Sequence, residues 1–316
     1  MQLRKGSVKS FGRCLVGLTT VLAASALAID RRDDVDDSKY LELAQESQFS
    51  MVGRLAVKVN GGTKFGTGIF IGIGNKMAWI VTATHVLTGF QEGSKFNIGG
   101  KSYELGARFE AMDDQDMAVV PILGYKDGDL TAAKFSNTVV EIHRTLSKRT
   151  TAYMVGYGNS GTGSNPGTVD DDRKRACTNI IDAYNLKRQK GFVRGQPDYQ
   201  VYPGYLTDFD NGKAVDNTLD KGDNDAYRLQ GAQYSSPTQT ALEGGTEDGD
   251  SGGPLFIRVG SQWILVGVIS GTFKGGDSFK TSTGYGSWTN FVAIDQGGAK
   301  FIKTNTGIDP VAVVSP

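Results

Sequence analysis

Three features of this chain have the residue types that acid–base and nucleophilic chemistry needs: a serine framed by glycines, a histidine at a strand end, and a carboxylate entering an apolar run. The serine is Ser251, in Gly249-Asp250-Ser251-Gly252-Gly253-Pro254. Glycines allow a sharp backbone turn there and leave room for a substrate carbonyl, so the hydroxyl is presented outward. The N–H groups of Gly249 and Ser251 can then point at one spot and stabilise the oxyanion of a tetrahedral intermediate, where losing one donor costs about 10² to 10³ in rate. A serine hydroxyl is a weak nucleophile by itself and requires a base within hydrogen-bond reach.

The chain has two histidines. His85 follows the apolar run Trp79-Ile80-Val81 in Thr82-Ala83-Thr84-His85-Val86, a position from which a loop can turn it into a cleft. His143 stands among Glu141, Arg144 and Lys148 and reads as an ordinary exposed side chain. Asp116 directly precedes Met117-Ala118-Val119-Val120, so its carboxylate enters a buried strand, which is costly unless a charged or hydrogen-bonding group receives it. The imidazole of His85 is the expected receiver. Asp113 and Asp114 belong to the neighbouring polar loop and are expected to face water.

Two other chemistries fit less well. Gly249 to Gly253 satisfies Gly-x-Ser-x-Gly, but that esterase elbow joins a strand to a helix and has its Asp and His later in the chain, whereas here both come first. The acidic residues Asp216, Asp220, Asp223 and Asp225 offer oxygen ligands, yet their spacing matches no defined calcium loop. No metal and no cofactor is assigned.

The elements that must position these side chains read as strands. Of 316 residues, 43 are glycine and only 8 proline, with 39% hydrophobic and 22% charged, which suits a turn-rich β protein with a full core. Leu55–Val59, Phe65–Ile73 and Met77–Thr82 form a meander, the last two joined by a tight turn at Gly74-Asn75. Further strands are expected at Ala118–Leu123, Thr151–Tyr157, Pro254–Val259 and Trp263–Ser270, with no strong amphipathic helix between them. The polar stretch 158–249, rich in Gly, Asp and Asn, is expected to hide hairpins and substrate-facing loops.

Residues 1–28 read as a secretory signal: Arg4, Lys5, Lys9 and Arg13 precede an apolar run ending in Ala26-Leu27-Ala28, and about 15 apolar residues fall short of the roughly 20 that span a bilayer. The expected destination is extracellular or periplasmic. Residues 29–50, beginning Ile29-Asp30-Arg31-Arg32, look like a leader or propeptide, and 306–316 form a tail with no membrane anchor. Removing the signal leaves 30 basic against 34 acidic residues, a net charge of −4 that does not attract nucleic acid. The runs Arg173-Lys174-Arg175 and Lys187-Arg188 are expected as solvated loops. Cys177 alone would remain, as a buried apolar residue, so no intramolecular disulfide is expected. No oligomeric state is assigned.

Together, Thr82-Ala83-Thr84-His85, Asp116-Met117-Ala118-Val119-Val120 and Gly249 to Pro254, in that order, resemble the trypsin-like serine proteases over about 51–302, particularly secreted bacterial members. The resemblance implies an all-β fold of two antiparallel barrels, about 51–145 and 146–305, with the site in the cleft between them. It implies a serine endopeptidase acting on protein or peptide substrates through His85, Asp116 and Ser251. Gly156-Tyr157-Gly158 resembles the family's Gly-Trp-Gly, and Arg175 to Asn179 and Asp208-Phe209-Asp210 resemble segments of its bacterial members. The braces differ, since Glu247 stands where many relatives have cysteine. In trypsin the position six before the nucleophile is an aspartate; here it is Gly245, followed by Thr246, so tryptic cleavage is not expected. On the substrate-binding strand, Ser270 is followed by Gly271-Thr272 in place of Trp-Gly, and the Thr272 side chain narrows the pocket toward small or medium uncharged residues. In the family a new amino terminus pairs with the aspartate before the serine, here Asp250; Met51-Val52-Gly53-Arg54 is a partial likeness, making cleavage before Met51 a candidate activation step. The alternative function is a catalytically inactive protease-fold binding protein or adhesin.

Overall fold

The fold is taken from a computed structural model, which describes residues 28–141, 143, 145–169, 171–190, 200–219, 234–274 and 283–312. The signal-like segment up to residue 27, Arg144 and the last four residues of the tail lie outside them. The chain opens with β1 (Asp30–Arg31) and α1 (Asp37–Ala44), then β2 (Val52–Val59), β3 (Gly62–Gly74), β4 (Met77–Thr82), β5 (Lys95–Ile98), β6 (Lys101–Leu105), β7 (Glu110–Ala111) and β8 (Ala118–Leu123). It continues with β9 (Lys134–Phe135), β10 (Thr151–Gly156), β11 (Ser160–Thr162), β12 (Asn165–Val169), β13 (Arg175–Ile180), β14 (Ala183–Asn185), β15 (Gln189–Lys190), β16 (Gln200–Val201) and β17 (Gly204–Asp208). Last come β18 (Gly244–Gly245), β19 (Pro254–Val259), β20 (Gln262–Lys274), β21 (Ser287–Ala293) and α2 (Gln296–Thr306).

The first sheet has the order β4-β3-β2-β5-β6-β8-β7, and pairing of β4 with β8 closes six of its strands into a barrel. The second, β13-β10-β19-β20-β21-β17-β14 with β9 alongside β20, makes a half-barrel rather than a second closed one. Apolar side chains on alternating positions fill both: Leu55, Ile69, Ile80, Phe96 and Val119 join a core that continues into Val155, Phe256 and Leu265. Each expected strand is present. The β3–β4 turn centres on Asn75 and Lys76, both with positive φ, one residue later than Gly74-Asn75, as a two-residue turn of this hand requires. Hidden strands in the polar stretch are found as β11 to β18. The expectation missed α2, capped by Asp295 and ended by Gly307 at φ 76°, which buries Ala299 and Ile302 in the first core.

Residues 29–50, expected as a leader or propeptide, pack into the fold. β1 joins β11 and β18 in a small sheet, and Ile29, Tyr40, Ala44 and Phe49 are fully buried. Phe49 packs edge-on against Trp263, ring centres 5.4 Å apart. Arg175 also departs from the solvated-loop expectation. It is buried and grips two carboxylates at once, Asp37 of α1 (2.7 and 2.8 Å) and Asp171 (2.9 and 2.8 Å). Its partner Lys174 reaches the carbonyl of Phe49 (3.1 Å), while Lys187 and Arg188 stay exposed, Arg188 paired with Asp114 (2.5 Å). Cys177 is buried and free on β13, its thiol pushed up by burial. No helix among the described residues is long and apolar enough to cross a membrane.

Candidate active site

Strand β4 ends at Thr82, and a single 3-10 turn (Thr84–Leu87) carries His85 out of the first barrel. The Nδ1 of His85 lies 2.6 Å from Asp116 Oδ2, and the backbone N–H of His85 donates to Asp116 Oδ1 (2.9 Å). Ser270, arriving on β20 from the second sheet, donates its hydroxyl to the same Oδ2 (2.6 Å). Burial alone would raise the Asp116 carboxyl, but bonds from the His85 ring, Ser270 and the His85 amide outweigh it and hold it below its usual range. Asp116 is thereby an ionised, three-times-bonded carboxylate that fixes the imidazole in both position and tautomer.

The loop that carries Ser251 is anchored from both sides. Thr67 of β3 takes the carbonyl of Ser251 on its N–H (2.9 Å) and donates its hydroxyl to the carbonyl of Gly249 (3.0 Å). Gly252 has φ 85°, and a Cβ there would meet Thr82 Oγ1 at 2.0 Å, so only glycine fits. Gly249 likewise has φ 93°. Asp250, Gly252 and Gly253 donate their N–H groups to Glu247, Ile269 and Asp250 carbonyls. Those of Gly249 and Ser251 donate to no protein acceptor among the described residues, which leaves them available to an oxyanion. His85, Asp116, Ser251, Ser270, Gly271 and Thr272 all line one open cavity of about 440 Å³.

Residues 66–268 match the trypsin-like peptidase domain. The chain belongs to the trypsin-like serine protease family. It is a serine-type peptidase and hydrolase. Among solved structures it is similar to the Rv3671c protease from M. tuberculosis in its active form, at 17% identity over 98% of this chain and 99% of that one, TM-score 0.47. The thermostable serine protease AL20 from an extremophilic microorganism matches at 10% identity over 82% and 98%, TM-score 0.47. The serine endoprotease from Yersinia pestis matches at 15% over 84% and 66%, TM-score 0.44. No curated protein sequence matches.

In this trypsin-like protease, Gly245 and Thr246 lie behind the cavity wall. Gly245 sits on β18 with Phe209 where its Cβ would point, the nearest ring atom at 3.0 Å. Thr246 is fully buried, its hydroxyl bonded to those of Thr272 and Thr289 (2.8 Å to the latter). Asn179 donates to the carbonyls of Asp208 (2.8 Å) and Gly244 (3.1 Å), which gives the segments around Cys177 and Phe209 a role as backing for this wall. The expectation missed Gln200, Tyr202, Glu247, Asp248, Ile269, Phe273 and Thr283 as cavity residues. Only Glu247 carried a signal, as the residue standing in a cysteine position. Asp216 accepts from Asn211 (2.6 Å), and Asp220, Asp223 and Asp225 lie outside the described residues.

Asp250 is fully buried and pushed up to about 7 by burial, against bonds from the N–H groups of Glu247 (2.9 Å), Ile29 (2.9 Å) and Gly158 (2.7 Å). The motif Gly156-Tyr157-Gly158 thus serves Asp250: a Cβ at Gly156 would meet its Oδ1 at 2.0 Å. In the uncleaved chain the segment starting at Met51 is not next to Asp250. Met51 is buried with its carbonyl on the N–H of Phe70, and the nitrogen beside Asp250 belongs to Ile29.

Proposed function

We propose that this protease is a secreted endopeptidase that cleaves through Ser251, His85 and Asp116. Its carrying observation is the 2.6 Å contact of His85 Nδ1 with the buried Asp116 carboxylate while His85 and Ser251 border the same cavity. With Nδ1–H given to Asp116, Nε2 of His85 is the acceptor. It takes the hydroxyl proton of Ser251 as the oxygen attacks the scissile carbonyl. The oxyanion is received by the N–H groups of Gly249 and Ser251; the imidazolium then protonates the leaving amine, and water repeats the sequence on the acyl-enzyme. Ser251→Ala is expected to abolish both casein hydrolysis and labelling by a fluorophosphonate probe, and retained labelling would contradict the assignment.

The preferred residue before the cleaved bond is small or medium and uncharged. In support, Phe209 takes the space behind Gly245 and the Thr246 hydroxyl is tied to Thr272 and Thr289, so no carboxylate stands at the position that attracts Arg or Lys in trypsin. Peptide-library profiling dominated by cleavage after Arg or Lys would refute this preference.

Export with cleavage after Ala28 is supported by the surroundings of Ile29. This β-branched residue is held at φ 52°, a conformation costing about 1–3 kcal/mol because the preceding carbonyl crowds its side chain. Removing residue 28 removes that carbonyl and turns the Ile29 nitrogen into an ammonium 2.9 Å from the buried Asp250 carboxyl. Amino-terminal sequencing of the active enzyme should begin at Ile29; a chain beginning at Met51 with full activity would exclude it.

A further inference from the structure

Residues 283–286, the turn that leads into β21, touch the cleft with one end and the segment that carries β1 with the other. Thr283 lines the cavity that holds His85 and Ser251, and its hydroxyl donates to Glu247 Oε1 on the Ser251 loop. Two residues on, the Tyr285 hydroxyl accepts the N–H of Asp33 (3.0 Å), whose carboxylate in turn takes the N–H (3.0 Å) and the hydroxyl (2.6 Å) of Ser164. Tyr285 donates its own N–H to the Gly163 carbonyl (3.0 Å). Its ring lies against the same glycine: a Cβ at Gly163 would meet three ring atoms at 2.4 to 2.5 Å, so a residue without a side chain is needed for this approach.

The Tyr285 ring also packs on Phe209, with ring centres 4.7 Å apart and planes inclined by 45°. The backbone of Phe209 is pinned to the same turn, its N–H on the Ser287 carbonyl (2.8 Å) and its carbonyl on the Gly286 N–H (2.8 Å), so only the side chain has freedom to move. That side chain is buried and stands where a side chain at Gly245 would point, the nearest ring atom 3.0 Å from the site of a Cβ. In an interior packed to this density a ring stays where it is while its neighbours are in place, and deleting one neighbour leaves a void into which it relaxes.

We propose that Tyr285 is a specificity-determining positioning residue: it holds Phe209 against Gly245 and Thr283 at the cleft wall, and so limits the depth of the pocket that receives the residue before the cleaved bond. The inference rests on the reading of the Ser251 cleft as a peptidase site with a pocket for small or medium uncharged residues. Tyr285 does not line the cavity and acts through Phe209 and Thr283. Without its ring, Phe209 turns into the vacated volume, the wall behind Gly245 recedes and a larger substrate side chain fits. Loss of the hydroxyl alone leaves the ring on Gly163 and Phe209, and the pocket keeps its depth.

The test compares kcat/KM on two peptide esters that differ only in ending with alanine or phenylalanine, for the wild type, Tyr285→Ala and Tyr285→Phe, with competent sites counted by fluorophosphonate titration. Tyr285→Ala should raise the phenylalanine-to-alanine ratio at least about tenfold, the discrimination that a methylene or two carries in an apolar pocket. Tyr285→Phe should keep the ratio within about threefold of the wild type, the lost Asp33 bond showing only as a melting temperature lower by a few degrees. A purely structural role would lower the number of titrated sites, or both rates alike, and leave the ratio where it was. An unchanged ratio in Tyr285→Ala, or an equal rise in Tyr285→Phe, overturns the proposal. Should Tyr285→Ala yield no titratable sites, Phe209→Leu opens the same space from the other ring and must give the same rise. A wild type that prefers the phenylalanine ester overturns the small-residue reading, and one that fails to label overturns the Ser251 assignment; both results are read on the wild type alone and are distinct from any variant outcome.

Discussion

Replacing Asp116 by Asn tests the whole assembly at a single atom. The carboxylate accepts three bonds: His85 Nδ1–H (2.6 Å) and Ser270 Oγ–H (2.6 Å) on Oδ2, and His85 N–H (2.9 Å) on Oδ1. An asparagine has one acceptor oxygen and one donor group, so one side must be mispaired. If the oxygen stays with the backbone N–H, the amide NH₂ faces Nδ1, which can then only accept. The ring proton moves to Nε2, the atom that must receive the Ser251 proton, and general-base catalysis stops. Ser270 keeps its own freedom to rotate and find another acceptor, so the mispairing at the histidine dominates. The general effect of such a tautomer error is about 10⁴ in kcat, or about 5.5 kcal/mol of transition-state stabilisation. Size and packing are preserved, so KM should stay within about threefold and the melting temperature within a few degrees. Steady-state kinetics on a peptide ester and the rate of fluorophosphonate labelling read the loss independently, and both should fall together. A decrease of less than tenfold in labelling rate, with the fold intact, would refute the role given to Asp116.

Thr67→Val removes a fully buried hydroxyl that donates to the Gly249 carbonyl (3.0 Å) and accepts from Tyr157 N–H (3.2 Å). Two orphaned backbone groups cost roughly 2–4 kcal/mol, so calorimetry should show a melting temperature lower by roughly 5–15 °C, with kcat reduced and Thr67→Ser largely restoring both. Stability should also fall with rising pH. Burial pushes Glu243 up to about 7 and Asp210 up to about 10, so the native state binds more protons than the unfolded chain above the ordinary carboxylate range. The contribution of these raised groups is complete below about pH 4 and is lost as pH climbs through 7 toward 10. Asp116 and Asp171, held low by their partners, act oppositely and are lost only in acid. Melting temperature should therefore peak on the weakly acidic side and decline from pH 6 to 9, and a flat or rising profile over that interval would show the buried acids to be neutralised otherwise.

How much of this was legible in the sequence depended on range and polarity. His85, Asp116 and Ser251 each sit at the end of an apolar strand or in a glycine turn, so local pattern sufficed to single them out. The strands of the first barrel alternate cleanly, and their positions were readable for the same reason. Strand β17 was not, because Gly204–Asp208 is buried throughout yet ends in Thr207 and Asp208. Its burial is permitted by partners far along the chain, such as the Leu219 N–H (2.9 Å) and Ser235 hydroxyl (3.1 Å) that Asp208 accepts, which no local period reveals. The pairing of Ile29 with Asp250 spans 221 residues and that of Arg175 with Asp37 spans 138. Both involve residues whose neighbours are charged and read as solvated. The likeness at Met51 also pointed toward Asp250, and the long-range partner that fills that place in the uncleaved chain, the Ile29 nitrogen, has no local signature.

The missing disulfides and the buried N-terminal segment are two aspects of one solution. A trypsin-like fold must keep the nucleophile loop, the wall behind Gly245 and the loop before β21 in fixed relation, or the N–H groups of Gly249 and Ser251 drift from the oxyanion. Covalent cross-links would restrain that relation whatever the pH. Here the restraint comes from side chains that must find partners: Asn179 on the Gly244 carbonyl, Glu247 on Thr283, Asp250 on Gly158 and Ile29. Three of the groups involved, Asp30, Glu247 and Asp250, are acids without a nearby guanidinium or lysine among the described residues, so each is costly to bury unless a proton or an ammonium neutralises it. Residue 29 donates its N–H to Asp250, and residue 30 is itself one of the three. The site is therefore held not by the two sheets alone but by a short strand at the start of the described chain, itself clamped through Tyr40 on the Glu243 carbonyl (2.9 Å) and through Asp37 on Arg175. An enzyme braced in this way is expected to lose turnover when that strand is removed, and full activity of a chain beginning at Met51 would refute the dependence.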